Sequence, residues 1–360
     1  MLRLAVSIGT LEIGGAETFV INLLKNIDYA RISVLLLVLG RRTGSSLEKE
    51  ADRLPIEVRY ISKKEGFSPR AVLRIWQALK EFKPDILHGN IGGLIYFLPF
   101  LYFHKIKAIY TAHTLPEREF GFLKRFFIKK LIKNGKIIPV GISPEIKESL
   151  EKIYEIKNIP MIANGIEVEK FKHKRSFRSE MVLGSVGRFE PVKNHRTIIN
   201  VFLTLKASFP KLKLRLVGGG SLFDKYKNSY QEREDIVFVG MSEHVPEELK
   251  KIDIFFIPSF YEGLPLAVLE AMASGCVIVG SNVGGLRGLV ENGINGYLLQ
   301  DCTDVEGFSN LIAGLLQDPE LLEMISLNNT RKAENYNLKE TAQKYQELYI
   351  SEAGNVKRRI

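Results

Sequence analysis

The stretch PSFYEGLPLAVLEAMASGC, Pro258 to Cys276, decides the fold. It follows an apolar run, Ile252 to Ile257, whose composition is that of a buried strand. The loop Ser259-Phe260-Tyr261-Glu262-Gly263 comes next, then Leu264-Pro265. Proline in a first helical turn sacrifices only an amide that is unpaired anyway. Leu266 to Ser274 reads as a buried helix closed by Gly275. A strand feeding a loop and a helix N-terminus offers free amides and the positive end of the helix dipole to an anion.

Two carboxylates belong to this unit. Glu262 lies in the loop, where it reaches a ligand at the helix mouth. Glu270 lies in the second turn, roughly 7 to 8 Å along the axis from Pro265. A carboxylate on an otherwise apolar helix is costly to bury unless hydrogen-bonded, and a pair of sugar hydroxyls would satisfy it. A solvent-facing Glu270 is the alternative that spacing alone leaves open.

The two glutamates inside EGLPLAVLEAMASG resemble the Glu-x7-Glu signature of the retaining glycosyltransferases of family 4. The resemblance implies the GT-B fold: an α/β protein of two doubly wound, Rossmann-like parallel-sheet domains facing a central cleft. It also implies that Glu262 contacts the donor sugar and that Glu270 holds the nucleotide ribose.

Composition is compatible with that class. The chain has 360 residues, enough for two domains. Its two cysteines, Cys276 and Cys302, make neither a disulfide framework nor a metal cluster, which suits a reducing cytosol. Met1 to Ile8 carries Arg3 and runs into a glycine loop, unlike a signal peptide. The longest apolar run, Ile91 to Phe103, is short of a membrane span and contains two Gly and a Pro, so it predicts a core or re-entrant helix. The net charge of +10 lies wholly in residues 1–165, and residues 166–360 are neutral. No nucleic-acid motif accompanies it, so nucleic acid is not an expected partner. An anionic membrane surface or acidic acceptor fits better.

The first half alternates strand-like and helical stretches. Leu2–Ile8, Ile32–Val38, Asp85–His88, Ala108–Thr111 and Ile137–Gly141 predict strands; Ala16–Lys25, Pro69–Phe82 and Gly121–Asn134 predict helices. Ligands of such sheets bind outside the carboxyl ends of the strands. After the first strand, Gly14 and Gly15 open a helix and permit close approach to a phosphate or sugar. The loop resembles the family's GGAE loop, which lines the cleft. His88 and His113 are expected at strand ends, in DILHGN and TAHT, and both resemble family positions. His113 is the better candidate, on the acceptor side of the reaction centre. Asn164-Gly165 is a turn, and the charged run Glu167 to Arg178 reads as an exposed linker. The expected domains are 1–165, with a C-terminal helix at about 338–360 crossing back, and 166–337.

In the second half, strand Met181–Val186 leads into Gly187-Arg188-Phe189-Glu190-Pro191-Val192-Lys193 and a helix to about Ala207. Two cations after a strand suit a diphosphate: Arg188 clamps two oxygens and Lys193 supplies a point charge. The string resembles the family's G-R-x-x-x-x-K motif. Strand Lys213–Val217 ends in Gly218 to Ser221, and strand Asp235–Val239 ends in Gly240-Met241, where the family's backbone reads the base. Gly288 stands where the family usually has Glu. The helix Leu338–Tyr349 resembles the closing helix of GT-B proteins.

Together these imply a cytoplasmic, retaining hexosyltransferase. Catalytic positions are Glu262, His113, Arg188 and Lys193. Donor positions are Gly14, Gly15, Gly187, Arg188, Lys193, Gly240, Met241, Glu262, Gly263, Leu264 and Glu270. The donor is a UDP- or GDP-sugar, and no cofactor is expected. The acceptor is a glycan or lipid-linked glycan of bacterial or archaeal surface polysaccharide synthesis. No Asp-x-Asp string occurs, so the diphosphate is expected to bind without a metal. A nucleotide-sugar epimerase of the same fold and a non-catalytic sugar-binding protein are the alternatives. The stretch Gly121–Lys136, GFLKRFFIKKLIKNGK, carries six cations and no carboxylate among Phe, Leu and Ile at helical spacing. That is the composition of an interfacial helix, so a peripheral place on the inner face of a membrane is expected.

Overall fold

The computed structural model describes residues 1–12, 14–63, 66–177 and 180–357. The chain divides into two compact units, Met1–Gly165 with Leu338–Ile360, and Ile166–Asn337.

Among the described residues the first unit holds six strands: β1 Leu2–Ile8, β2 Ile32–Val38, β3 Glu57–Tyr60, β4 Ile86–Asn90, β5 Lys107–Ala112 and β6 Ile137–Gly141. They run parallel in the order β3-β2-β1-β4-β5-β6. Helices cover both faces, which is why the inner strands are near-continuous apolar runs. β3 escapes sequence reading because it is a short edge strand, EVRY, with half-exposed side chains. β4 starts and ends later than expected, and His88 is its central residue rather than its end.

The helices follow local rules. In Pro69–Phe82 the Ser68 hydroxyl accepts from the Ala71 amide, Pro69 starts the first turn, and Lys83 at φ 47° stops the helix. Its inner face is Ala71, Ile75, Ala78, Leu79 and Phe82. The apolar run forms the helix Leu94–Phe103, mostly buried. No helix among the described residues is long and apolar enough to cross a membrane. The helix Leu338–Lys357 packs against β1, β4 and β5. Gly165 lies so close to Leu338 that a Cβ would collide with its backbone.

The second unit repeats the plan: β7 Val182–Val186, β8 Lys213–Val217, β9 Ile236–Gly240, β10 Ile254–Ile257, β11 Val277–Ser281 and β12 Gly296–Leu299, ordered β12-β11-β10-β7-β8-β9 and parallel throughout. Its core joins Phe189, Phe202, Phe256 and Phe308 to the aliphatic residues of the strands. In each unit the order reverses beside the first strand, between β1 and β4 and between β7 and β10. Such reversals open a crevice at the carboxyl ends of the strands.

The charged run after Gly165 is not an exposed linker. Val168–Phe171 is a short helix with Val168 and Phe171 buried. The Arg175 side chain is only 4% exposed; it pairs with Asp253 at 3.1 Å and donates to the carbonyls of Leu249 and Ser274. Net charge hid these anchors, since two apolar residues and one fully bonded arginine suffice to pin the segment. Arg178 lies outside the described residues.

Candidate active site

In the second unit the crevice between β7 and β10 collects most of the predicted donor residues. The loop after β7 carries Gly187 and Arg188, then a 3-10 turn, Pro191–Lys193. The loop after β10 carries Ser259 to Gly263. The Phe260 amide donates to the Val192 carbonyl and stitches the two loops together. Lys193 Nζ then stands 2.6 and 2.9 Å from the two oxygens of Glu262. Ser259 Oγ donates to the same carboxylate at 2.6 Å. Glu262 is only 6% exposed. Its carboxylate is therefore held by a cation and a hydroxyl, as a buried charge requires. Arg188 is exposed; its carbonyl accepts from the Glu190 amide, and its charge lies near enough to the Glu190 carboxylate to help lower that group's pKa.

The helix Leu266–Ala273 starts beside this pair, with Pro265 at its cap. Among the described residues, the amides of Gly263 and Leu264 donate to no backbone carbonyl. One turn in, the Glu270 carboxyl finds no hydrogen-bond donor among the described residues. It keeps partial exposure, yet burial among its neighbours pushes its pKa up to about 7. A neutral or unsatisfied carboxyl at the carboxyl end of a sheet is a ligand-binding feature.

Two further loops complete the crevice. A Cβ on Gly218, at φ 135°, would collide with the Gly187 carbonyl. Gly240 closes β9 at φ 80°, and Met241 is 72% exposed. The loop after β11 presses on Glu262: a Cβ on Gly284, at φ 52°, would collide with the Glu262 carbonyl, and one on Gly285 with that of Gly263. Gly288 is exposed.

Sequence reading missed several of these parts. Ser259 and the pair Gly284-Gly285 have their effect only through contact with Glu262 and its loop. Asn194, at φ 53°, donates from Nδ2 to the carbonyls of Pro258 and Cys302, so it ties the Lys193 turn to the chain leading into Glu262. Its place after Lys193 was a usable signal, since asparagine is among the non-glycine residues that most readily adopt a left-handed turn.

The first unit carries a second set. Gly14 caps the helix Gly15–Lys25, and no atom of the described residues lies within 4 Å of a Cβ built on Gly15. His113 follows β5 directly. Its Nε2 is 3.0 Å from Asn90 Oδ1, and the ring packs edge-on to Phe19 at 5.3 Å. Burial lowers its pKa to about 3, so it is neutral at pH 7. With Nε2–H donating to Asn90, Nδ1 is left as an acceptor. His113 Nδ1, Asn90 Nδ2 and Ser7 Oγ are buried without partners among the described residues, at the carboxyl ends of β5, β4 and β1. Unpaired acceptor and donor atoms at the ends of neighbouring strands suit a hydroxyl group. Asn90, unnoticed in DILHGN, belongs with His113. His88 does not: Nδ1 bonds Tyr349 at 2.7 Å and Nε2 bonds Thr111 at 2.8 Å, which leaves it saturated and structural.

Known proteins match this chain along most of its length. The sequence model of the family described as glycosyl transferases group 1 matches residues 167–332, and that of glycosyltransferase family 4 matches residues 13–170. An uncharacterized glycosyltransferase of Methanocaldococcus jannaschii is 30% identical over 275 residues, covering 69% of each chain. The Escherichia coli UDP-Gal:alpha-D-GlcNAc-diphosphoundecaprenol alpha-1,3-galactosyltransferase is 26% identical over 317 residues, 78% of this chain and 79% of that one. Among solved structures, Anabaena HepE in complex with UDP and glucose superposes with a TM-score of 0.81 at 18% identity, covering 98% of this chain and 100% of the other.

Proposed function

Because the chain belongs to the group 1 glycosyltransferases of family 4, with the GT-B fold, we propose that it moves a sugar from a nucleotide-sugar to a glycan or lipid-linked acceptor with retained anomeric configuration. The observation that carries this reading is the ion pair of Lys193 and Glu262 across the β7–β10 reversal. It sets a cation and a carboxylate side by side, which suits a diphosphate and its attached sugar.

In this reading Lys193 and Arg188 hold the diphosphate, aided by the amides of Gly263 and Leu264. When the bond from sugar to diphosphate breaks, the electron pair leaves with the phosphate oxygen. Pre-placed cations and amides stabilise that charge without reorganising. Glu262 turns to the transferred sugar, and Glu270 accepts from the ribose hydroxyls. Gly187, Gly240 and Met241 border the nucleotide. On the first unit, Gly14 and Gly15 leave room for a phosphate or sugar, and His113 bonds a hydroxyl. The two cations supply the charge that a divalent metal would otherwise bring, so turnover continues in a chelator.

UDP in the Anabaena complexes and a UDP-sugar in the name of the Escherichia coli relative favour a uridine donor. The diphosphoundecaprenol acceptor of that relative favours a lipid-linked one, in surface polysaccharide synthesis. The basic, aromatic helix of the first unit fits a peripheral place on an anionic inner membrane face.

The deciding experiment incubates the protein with UDP- and GDP-sugars and a lipid-diphosphate sugar acceptor. Release of nucleoside diphosphate matched by an α-linked product from an α-linked donor is expected. Interconversion of free nucleotide-sugars without acceptor would overturn transfer in favour of epimerisation.

A further inference from the structure

The helix Phe122–Lys133 has two faces of unlike fate. Ile128, Leu131 and Ile132 are buried and hold it to the unit. Phe122, Leu123, Phe126 and Phe127 are 76%, 72%, 59% and 59% exposed. At 3.6 residues per turn these four share an outer arc of about 140° over the first two turns. Leu131 and Ile132, grouped with them by spacing alone, turn inward instead. Single exposed apolar residues need no explanation, but four contiguous ones mark an interaction surface.

Cations surround this patch. Lys124, Arg125 and Lys130 have no carboxylate partner among the described residues, and Lys136 donates to the carbonyls of Leu101 and Tyr102. Lys129 and Lys133 are engaged differently. They grip the two oxygens of one carboxylate, Glu155, at 2.6 and 2.9 Å. Glu155 comes from another element: it ends the helix Pro144–Tyr154 in the left-handed conformation, φ 53°. The two lysines hold its carboxyl well below the usual range, at about 2, so it stays ionised at any working pH. Its side chain is 63% exposed. An exposed ion pair of this kind contributes little to folding and is open to exchange. A pair of lysines that clasps two carboxylate oxygens can clasp two phosphate oxygens in the same way.

We propose that Phe122, Leu123, Phe126 and Phe127 enter the acyl region of an anionic bilayer while lipid phosphates displace Glu155 from Lys129 and Lys133, so that Glu155 is an internal counterion setting the charge density needed for docking. This rests on the peripheral-membrane reading above. A bilayer is the occupant because the patch is apolar at its centre, basic at its rim and free of acid from Gly121 to Lys136. A separate acidic protein would have to match both an aromatic centre and a lysine rim. A bilayer with anionic headgroups presents that order by construction.

The test is co-sedimentation of the full chain with vesicles of phosphatidylcholine, with and without phosphatidylglycerol. Removing Glu155 frees two cations, each worth about fivefold in binding. Glu155→Gln should therefore bind anionic vesicles at least about fivefold more tightly and at a lower phosphatidylglycerol fraction. Asp224→Asn, on the second unit, changes net charge equally and should not. Phe126→Ser with Phe127→Ser should lose most binding, with an unchanged circular dichroism spectrum and unchanged nucleotide binding. Equal gains in Glu155→Gln and Asp224→Asn would overturn the counterion, and full binding by the double serine variant would overturn insertion. In either case wild-type binding to anionic vesicles keeps the membrane reading. No wild-type binding, or self-association that the double serine variant abolishes, would overturn both.

Discussion

At the scale of single residues, each candidate is decided by what its polar atoms lack. Lys193 is bonded to Glu262 before any ligand arrives, so its charge is pre-placed. Lys193→Ala leaves Glu262 buried with only Ser259, and should cut turnover by about 100-fold or more while the protein still folds. Steady-state kinetics beside a thermal melt will show it, and near-normal turnover in a folded variant would remove Lys193 from the site. Glu270 makes a pH prediction. Its carboxyl titrates at about 7, and a ribose hydroxyl donates better to the ionised form. UDP affinity should fall as pH drops below 7, by up to about tenfold per unit. Glu270→Gln should flatten the profile, and calorimetry from pH 5.5 to 8.5 reads both. A wild-type profile already flat would refute the assignment.

At the scale of elements, loops act by contact rather than by chemistry. The loop after β11 holds no charged site residue, yet Gly284 and Gly285 lie against the carbonyls of Glu262 and Gly263. Gly284→Ala adds a Cβ where there is no room and at a φ that alanine resists. Glu262 must shift, and a shift of about 1 Å costs on the order of 100-fold in rate. The expected result is a large loss of turnover with nucleotide binding retained through Glu270. Equal turnover would show that the loop yields freely. The helix Leu338–Lys357 acts through a buried chain: Tyr349 to His88, His88 to Thr111, and Thr111 to Tyr345 at 2.9 Å. Tyr349→Phe orphans His88 Nδ1 and should cost about 1 to 3 kcal/mol of stability, measured by denaturant unfolding. No loss would mean that water replaces the hydroxyl.

At the scale of the whole molecule, buried titratable groups set the pH response. Burial lowers His88 and His113 to about 3 and His195 to about 4, against an ordinary 6.5. The unfolded chain takes up these protons first, so stability is full above pH 6.5 and is lost as pH falls towards 3 to 4. Each histidine contributes roughly 2 kcal/mol of that loss by pH 5. Glu270 opposes it, because the native carboxyl is protonated first between 7 and 4.5. Burial raises Glu119 as well, which adds to that opposition. Three histidines outweigh two glutamates, so unfolding at pH 5 should need clearly less denaturant than at pH 7. An unchanged midpoint would mean that these groups are open to solvent in the native state. The sequence by itself determined the local and periodic features. Strands β1, β2, β6 and β8 and the helix Pro69–Phe82 were legible to the residue, because apolar runs, caps and stop residues act within a few positions. Glu262 with Glu270, and Arg188 with Lys193, could be singled out as candidates because each pair rides on one strand–loop–helix unit and resembles a family motif. Only the tertiary structure decided the rest. Strand order brings Lys193 to Glu262 across 69 positions, and packing seals His88 while leaving His113 and Asn90 with unpaired atoms. It also turns Leu131 inward and Phe126 outward on one helix. Burial and pairing belong to whichever neighbours the sheet order supplies, and periodicity along the chain does not encode them.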